Sequence, residues 1–417
     1  MPLATPTHSA VLAFIRDGWA DTVRTITADD SRRIGLPYPY TVPCKSGMFQ
    51  TLFYWDTFYT NTGLIATGEI VLARQNTENI LSLIERFGFY PNGNQVWFLG
   101  RSQPPHAALM VRDVYKATGD QAWLRAQLPT LEREHDFWMT GRLAPNGLNY
   151  YGTHDDPARS IDEFRNQTDR LGRPVPANDE ALLELIRHDQ AECESGWDYC
   201  ARFDRRCADF CPVDLNALLF AHESFLSSSY EELGDSLTAA RWKSAAEKRA
   251  ALMRRHLWSP ELGAFTDVNF KTGELSPILS AAVFYPLWLG VANSEEAAAT
   301  VALLPRLETP HGLLCAEPGP RTFAYQWDAP NGWPPLHYAA VHALLQTGYI
   351  DDARRLAGKY LVTLAENFER TGELWEKYNV ADGTTEALNE YEMPAMLGWT
   401  AGVFAAFSAE PALQSDS

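Results

Sequence analysis

Apolar side chains recur at alternating three- and four-residue intervals along much of this chain. Over 69–88 the series Ile70, Ala73, Thr77, Ile80, Ile84 and Phe87 gives one face of a helix to a core, and over 351–370 Ala353, Leu356, Ala357, Tyr360, Leu361, Leu364 and Phe368 do the same. The same period predicts helices near 8–27, 106–117, 120–141, 213–233, 236–257, 278–291, 294–306, 334–347 and 394–408, with another opening in the aromatic run 47–59. Strand-like alternation is sparse and short, so the pattern predicts an all-α chain of about a dozen helices.

Four junctions repeat: Ala66-Thr67-Gly68-Glu69, Ala117-Thr118-Gly119-Asp120, Glu232-Leu233-Gly234-Asp235 and Gln346-Thr347-Gly348-Tyr349. In each, glycine can take the left-handed conformation that closes a helix, and in three an acid follows where the dipole of the next helix favours negative charge. These are corners of helix hairpins. Without a Pro/Gly/Ser-rich linker to separate halves, the hairpins read as one closed or curved array forming a single domain, 1–417. Within it 1–36 is an N-terminal helix and lead-in, and 409–417 a disordered tail. Long irregular stretches at 37–55, 89–105, 142–177, 187–212, 307–333 and 371–393 separate the helices, and loops on a rigid scaffold are where binding chemistry is usually carried.

Composition narrows the function classes. With 46% hydrophobic and 21% charged residues the 417-residue chain is globular, and its formal charge of −18 disfavours nucleic acid and anionic membranes while leaving neutral ligands open. No window approaches the roughly 18 apolar residues of a membrane span, and Met1 to Arg16 lacks a basic segment followed by an apolar one; a cytoplasmic location is expected. Four of the six cysteines, Cys193, Cys200, Cys207 and Cys211, crowd together without a C-x-x-C or a histidine pair, which predicts buried thiols in a reducing compartment rather than zinc. There is no H-E-x-x-H, G-x-S-x-G, phosphate loop or dinucleotide fingerprint.

What stands out in the loops is acid beside aromatic: Glu194-Ser195-Gly196-Trp197-Asp198-Tyr199, then 326–335 with Gln326, Trp327, Asp328 and Trp333, then Leu374-Trp375-Glu376-Lys377-Tyr378. Carboxylates move protons and hold hydroxyls, while flat rings cover the apolar faces of a pyranose, so these stretches predict a sugar-cleaving pocket. Inversion at an anomeric carbon needs a protonated acid and an ionised base roughly 6.5–9.5 Å apart. Glu194 and Asp198 are both candidates, but acids four residues apart rarely face each other across a sugar. Glu376, beside an indole and a cation, is the better partner; Glu390 and Glu392 read as more solvated. Trp55-Asp56 places an acid at the mouth of an apolar cluster, which predicts ligand contact, whereas Phe53, Phe58 and Tyr59 read as core. Asn92, Arg101 and Gln103 bring hydroxyl partners into a loop stiffened by Pro104 and Pro105.

These residues resemble the trehalase family of glycoside hydrolases. Residues 326–335 match its second signature, and Phe49-x5-Trp55-Asp56-x2-Tyr59 matches the end of its first. Pro91 to Asn94, Arg101 to Pro105, Glu194 to Asp198, Pro212 to Ala217, Glu376-Lys377-Tyr378, Glu390-Tyr391 and Gly398-Trp399-Thr400 follow in order, covering roughly 40–405. The resemblance implies an (α/α)6 toroid with long active-site loops and an inverting mechanism with Asp198 as general acid and Glu376 as general base. It also implies that Phe49, Trp55, Asp56, Asn92, Arg101, Gln103, Gly196, Trp327 and Glu390 line the sugar site, with no metal or organic cofactor. Gly47-Met48-Phe49 with Thr51 and Phe53 stands where the family has Gly-Arg-Phe with a downstream Glu and Tyr, and Pro157-Ala158-Arg159-Ser160 stands where it has Arg-Pro-Glu-Ser. The expected function is therefore inverting hydrolysis of a small α-glucoside, with trehalose the first substrate to test and kojibiose, glucosylglycerol or glucosylglycerate behind it. A sugar-binding relative that lost turnover is the alternative of a different class, against which the presence of both Asp198 and Glu376 argues.

Overall fold

A computed structural model describes residues 6–168, 174–321, 324–388 and 391–414. Its helices are α1 (Pro6–Gly18), α2 (Tyr54–Ala66), α3 (Ile70–Phe87), α4 (Ala107–Thr118), α5 (Gln121–Gly141), α6 (Pro157–Phe164), α7 (Asp179–Ser195), α8 (Val213–Glu232), α9 (Ser236–Leu257), α10 (Tyr285–Trp288), α11 (Ser294–Val301), α12 (Leu304–Leu307), α13 (Pro334–Gln346), α14 (Ile350–Thr371) and α15 (Gly398–Ala409). Strands among the described residues are antiparallel pairs of two-residue segments.

Twelve of these helices form a closed (α/α)6 toroid. The inner ring runs α2 on α4, α4 on α8, α8 on α10, α10 on α13, α13 on α15 and α15 back on α2, with α3, α5, α9, α11, α14 and α1 outside. The sequence dictates this division: α2, α13 and α15 are buried on nearly all sides, as helices without a polar face must be, whereas α3 and α14 carry one buried stripe. At the seam between the first and last inner helices, a Cβ on Gly63 would sit 2.5 Å from Gly402 Cα, and one on Gly402 would sit 2.0 Å from the Tyr59 carbonyl oxygen. Only glycine lets these two backbones meet. A connected set of buried apolar side chains extends from Val11 to Leu413.

All four predicted corners turn on glycine in the left-handed region, with φ of 91° at Gly68, 66° at Gly119, 83° at Gly234 and 85° at Gly348. Two of the acids that follow do more than face a dipole: Asp120 accepts from the Trp123 amide and Asp235 from the Thr238 amide, capping α5 and α9.

Several boundaries differ from the sequence expectation. The first helix ends at Gly18, where Trp19–Thr22 tightens into a 3-10 turn and Val23–Arg24 pairs with Tyr40–Thr41. The 278–291 helix is a 3-10 turn, Ala281–Phe284, running into α10 with Pro286 in its first turn, and 294–306 divides before Pro305. Two further helices are not expected from the sequence: α6 falls in a stretch read as irregular, and α7 runs from unassigned residues into the irregular stretch 187–212. The second is capped by Asn178, but its inner face is polar: His188, Asp189, Gln190, Glu192, Glu194 and Ser195 are all buried, so no apolar period marks it. Where a disordered tail is expected from 409, Pro411–Leu413 forms a turn with Leu413 buried, and Arg354 Nε donates to the Ala412 carbonyl at 2.9 Å.

The topology also gathers the chemistry. Inner helices alternate with outer ones, so they all run in one direction, and the long loops leading into α2, α4, α8, α13 and α15 collect at one end of the ring. Those loops, with the first turn of α2 and the last turn of α7, carry the acid-and-aromatic motifs.

Candidate active site

Asp198 follows the end of α7, which Gly196 closes at φ 72°. The glycine is required twice over, because a Cβ there would also lie 2.7 Å from Trp55 Cε2. Beyond it the backbone is pinned on both sides: the Ser195 hydroxyl accepts from the Trp197 amide at 3.1 Å, and the Tyr199 carbonyl accepts from the Trp327 amide at 3.2 Å. Gln326 Nε2 donates to the Asp198 carbonyl at 3.3 Å. Below, the Arg202 guanidinium lies 4.4 Å from the Trp197 ring and is fixed by Asp214 and Asp267, each at 2.7 Å. Asp198 itself is half-buried on the cavity wall.

Glu376 reaches the same cavity from the far end of the chain. Tyr378–Asn379 pairs antiparallel with Asn331–Gly332, the Glu376 amide donates to the Pro394 carbonyl at 3.3 Å, and Trp399 Nε1 donates to the Glu376 carbonyl at 2.9 Å. Its carboxylate is 2.6 Å from Lys377 Nζ on one oxygen and accepts from the Tyr391 hydroxyl at 2.6 Å on the other. The ion pair with Lys377 is fully buried, not a surface contact.

The floor between them is built of indoles and amides. Trp327 and Trp333 stack at 3.8 Å, with Trp55 at 5.6 Å from Trp327 and Trp399 at 5.8 Å from Trp55. Gln103 Oε1 accepts from the Tyr54 and Trp55 amides, which leaves its nitrogen for a ligand, and Asn92 Nδ2 donates to the Ser102 and Cys193 carbonyls, which leaves its oxygen. Arg101 donates to Gln190 at 2.5 Å and lies against Phe98, while its Nε is buried without a partner. Burial pushes the Asp56 carboxyl up to about 8, and the charges of Glu376 and Asp198 add to that rise, so Asp56 lies within the field of both acids.

Thus Asp198, Glu376, Phe49, Trp55, Asp56, Asn92, Arg101, Gln103, Gly196 and Trp327 line one cavity of about 180 Å3, while Glu390 lies outside the described residues. Pockets for drug-sized ligands run to roughly 300–1,000 Å3, so this one suits a single sugar ring. Phe53, expected in the core, is half-buried on the wall, whereas Phe58 and Tyr59 are core. Phe98, Gln326, Trp333, Tyr391, Met396 and Trp399 also line it. Gln326, Trp333, Tyr391 and Trp399 stand inside the quoted motifs, a signal sufficient to find them; Phe98 and Met396 carry none. Glu194 is a framework residue: it is fully buried and accepts from Arg142 Nε and Nη2 and from the Ser102 and Gly152 amides, at 2.7 to 2.9 Å. Thr51 is buried and accepts from Gln95, and Arg159 pairs with Glu163 on α6; neither lines the cavity. The six cysteines are buried and none forms a disulfide. Glu184, His188 and Asp209 have metal-ligand chemistry, but Arg187, Arg206 and Lys271 already neutralise their carboxylates.

A helical toroid whose loops bring two acids and a tryptophan floor to one sugar-sized cavity is a glycoside hydrolase. A trehalase profile matches residues 8–409, and the chain belongs to the trehalase family. The periplasmic trehalase of Xanthomonas campestris pv. campestris (strain B100) is 33% identical over 413 residues, 92% of this chain and 70% of that one. The periplasmic trehalase of Xanthomonas axonopodis pv. citri (strain 306) is 33% identical over 401 residues, 89% of this chain and 68% of that one. Among solved structures, neutral trehalase Nth1 from Saccharomyces cerevisiae superposes with a TM-score of 0.77 at 26% identity, covering 97% of this chain and 80% of that one. The GH63 mannosylglycerate hydrolase of Thermus thermophilus shares the fold, with a TM-score of 0.63 at 17% identity over 97% of this chain and all of that one. The expectation of a cytoplasmic location is overturned here: both Xanthomonas relatives are named periplasmic trehalases. No described helix is long and apolar enough to cross a membrane.

Proposed function

We propose that this chain, acting as one catalytic domain, hydrolyses α,α-trehalose with inversion. One glucose unit occupies the floor, its hydroxyls on Asp56, Asn92, Arg101 and Gln103 and its apolar face on the tryptophans. Asp198, half-buried, protonates the bridging oxygen, and Glu376, buried with Lys377 and Tyr391 against its carboxylate, takes a proton from the water that attacks the anomeric carbon. The observation that carries this reading is the meeting of those two carboxylates, from distant loops, in one cavity the size of a sugar, one acid toward solvent and the other inside. A neutral disaccharide also suits a chain of formal charge −18.

The test is glucose release from trehalose by Asp198→Asn and Glu376→Gln. Each is expected to lose a factor on the order of 10²–10⁴ or more while the helical circular dichroism is unchanged. Proton NMR of the earliest product is expected to show β-glucose beside α-glucose in equal amounts, since inversion at one of the two α-linked anomeric carbons converts only that glucose. A near-normal rate in either variant, or α-glucose alone, overturns the assignment.

A further inference from the structure

Asp56, Asn92 and Gln103 lie buried at the floor of the cavity, whereas Phe49, Phe53, Phe98 and Tyr391 are half-buried at its mouth. The floor is therefore held from behind, and the ties converge on Tyr54, which is fully buried and does not line the cavity. Its amide donates to Gln103 Oε1 at 3.0 Å and to the Asn92 carbonyl at 3.2 Å. Its hydroxyl accepts from the amide of Ala107, the first residue of α4, at 2.9 Å and donates to Glu134 Oε1. One residue thus joins the start of α2, which carries Trp55 and Asp56, to both ends of the loop that carries Asn92, Arg101 and Gln103.

Glu134 reaches Tyr54 from the outer helix α5 and is itself fully buried. Among the described residues its Oε2 has no hydrogen-bond partner; it lies 3.8 Å from His222 Nδ1 on α8, which has none either. The other ring nitrogen of His222, Nε2, is 3.1 Å from the Leu131 carbonyl, and a carbonyl only accepts, so Nε2 carries the hydrogen. Burial also pushes this imidazole down to about 3, which leaves Nδ1 a bare lone pair. A charged Glu134 would set a second lone pair against it in a dry interior. A neutral acid with its hydrogen on Oε2 instead turns an O–H toward Nδ1 and leaves Oε1 as the acceptor for Tyr54. The titratable groups around this carboxyl are Tyr54 with Tyr90 against its ring, His222, and behind His222 the buried Glu223 with His135 and Arg249. Among the described residues α3 and α4, which also pack on α5, bring no charge to it.

Resting on the hydrolase reading above, we infer that Glu134, which touches no sugar, is a positioning residue for the catalytic cavity: through the Tyr54 hydroxyl it sets how the loop of Asn92, Arg101 and Gln103 meets the helix of Trp55 and Asp56. It does so as a neutral acid. Ionisation removes the O–H that faces His222 and places an unpaired charge behind the floor, so the grip on the first glucose loosens as pH rises. Asp198 and Glu376 stand on other loops and keep their places, so the effect falls on sugar binding before it falls on proton transfer.

The experiment measures kcat and KM for trehalose in the full chain and in Glu134→Leu, Glu134→Gln and Tyr54→Phe, with circular dichroism as the check on folding. Glu134→Leu, which offers no acceptor, is expected to raise KM at least about tenfold while kcat stays within about threefold. Tyr54→Phe, which removes only the hydroxyl, is expected to do the same and covers the case in which the leucine variant does not fold. Glu134→Gln still accepts from Tyr54 and can donate toward His222, and is expected to restore KM to within about threefold of the parent near neutral pH. From about pH 7 to about pH 9.5, kcat/KM is expected to fall at least about threefold further in the parent than in Glu134→Gln. Asp56 titrates in both proteins, so the difference between them isolates Glu134. A parent-like KM in folded Glu134→Leu or in Tyr54→Phe, or a glutamine variant no better than the leucine one, overturns the positioning role and leaves the hydrolase standing. Identical alkaline limbs overturn the neutral acid, and no glucose from the parent chain overturns both readings.

Discussion

Lys377 Nζ lies 2.6 Å from Glu376 Oε2, and neither side chain reaches solvent. The ammonium also sits 4.6 Å from the Trp333 ring and 5.2 Å from that of Tyr391, so one cation ties together the carboxylate, the floor and the mouth. Removing one member of a buried pair leaves the other uncompensated, which costs about 3–5 kcal/mol. Lys377→Met is therefore expected to lower both trehalose turnover and stability, read as kcat and as the urea midpoint. A variant with full stability and full kcat contradicts the pairing described here.

Gly196 stands where α7 ends against Trp55. Alanine there meets both a left-handed backbone and an indole 2.7 Å away, so the floor must shift. Displacements of about 1 Å near reacting atoms lower rates on the order of 100-fold. Steady-state kinetics of Gly196→Ala are expected to show that loss in kcat/KM with the toroid still folded.

Glu194 and Asp198 sit in one six-residue stretch and carry opposite consequences. Glu194→Gln leaves Arg142 buried without its carboxylate, and equilibrium denaturation is expected to show about 3–5 kcal/mol of destabilisation. Asp198→Asn is expected to leave the denaturation midpoint close to that of the parent chain.

Asp56 is held up to about 8 in the folded chain against an ordinary 3.8, so the folded state keeps its proton over an interval in which the unfolded state releases it. Stability contributed by this group is thus present below pH 3.8 and is lost progressively as pH rises toward about 8. Glu134, deep in the ring and pushed up to about 8 by burial, acts in the same direction. Asp56→Asn, which cannot ionise, is expected to melt above the parent chain near pH 8, with the gap closing toward pH 4, while losing sugar affinity. Parallel melting curves across that range would contradict the assignment of a buried, protonated Asp56.

How much of this could be read from residues alone follows from what each element leaves in the sequence. The outer helices α3 and α14 write their burial as an apolar stripe, and the hairpin corners as Gly68, Gly119, Gly234 and Gly348. The acids and amides of the cavity were legible because Trp-Asp, Trp-Glu and Asn or Gln in a loop have few structural reasons to be there. Helix α7 was not, because its buried face is polar and held by Arg142, Arg205 and neighbouring backbone. Phe53 was misplaced for a related reason: in a run of aromatics entering a helix, nothing local says which ring faces the core and which the ligand. Phe98 and Met396 come from patternless loops.

The seam at Gly63 and Gly402 bears on how the molecule is strung together. Helix α1 lies on α14 and α15, so the two described ends of the chain are neighbours on the outside of the ring. Nothing in the closed circuit of inner helices depends on which hairpin is threaded first. A circular permutant that joins those ends by a short linker and opens at the corner around Gly234, away from every loop of the cavity, should rebuild the same circuit, with α2 and α15 then contiguous parts of one half rather than its two extremities.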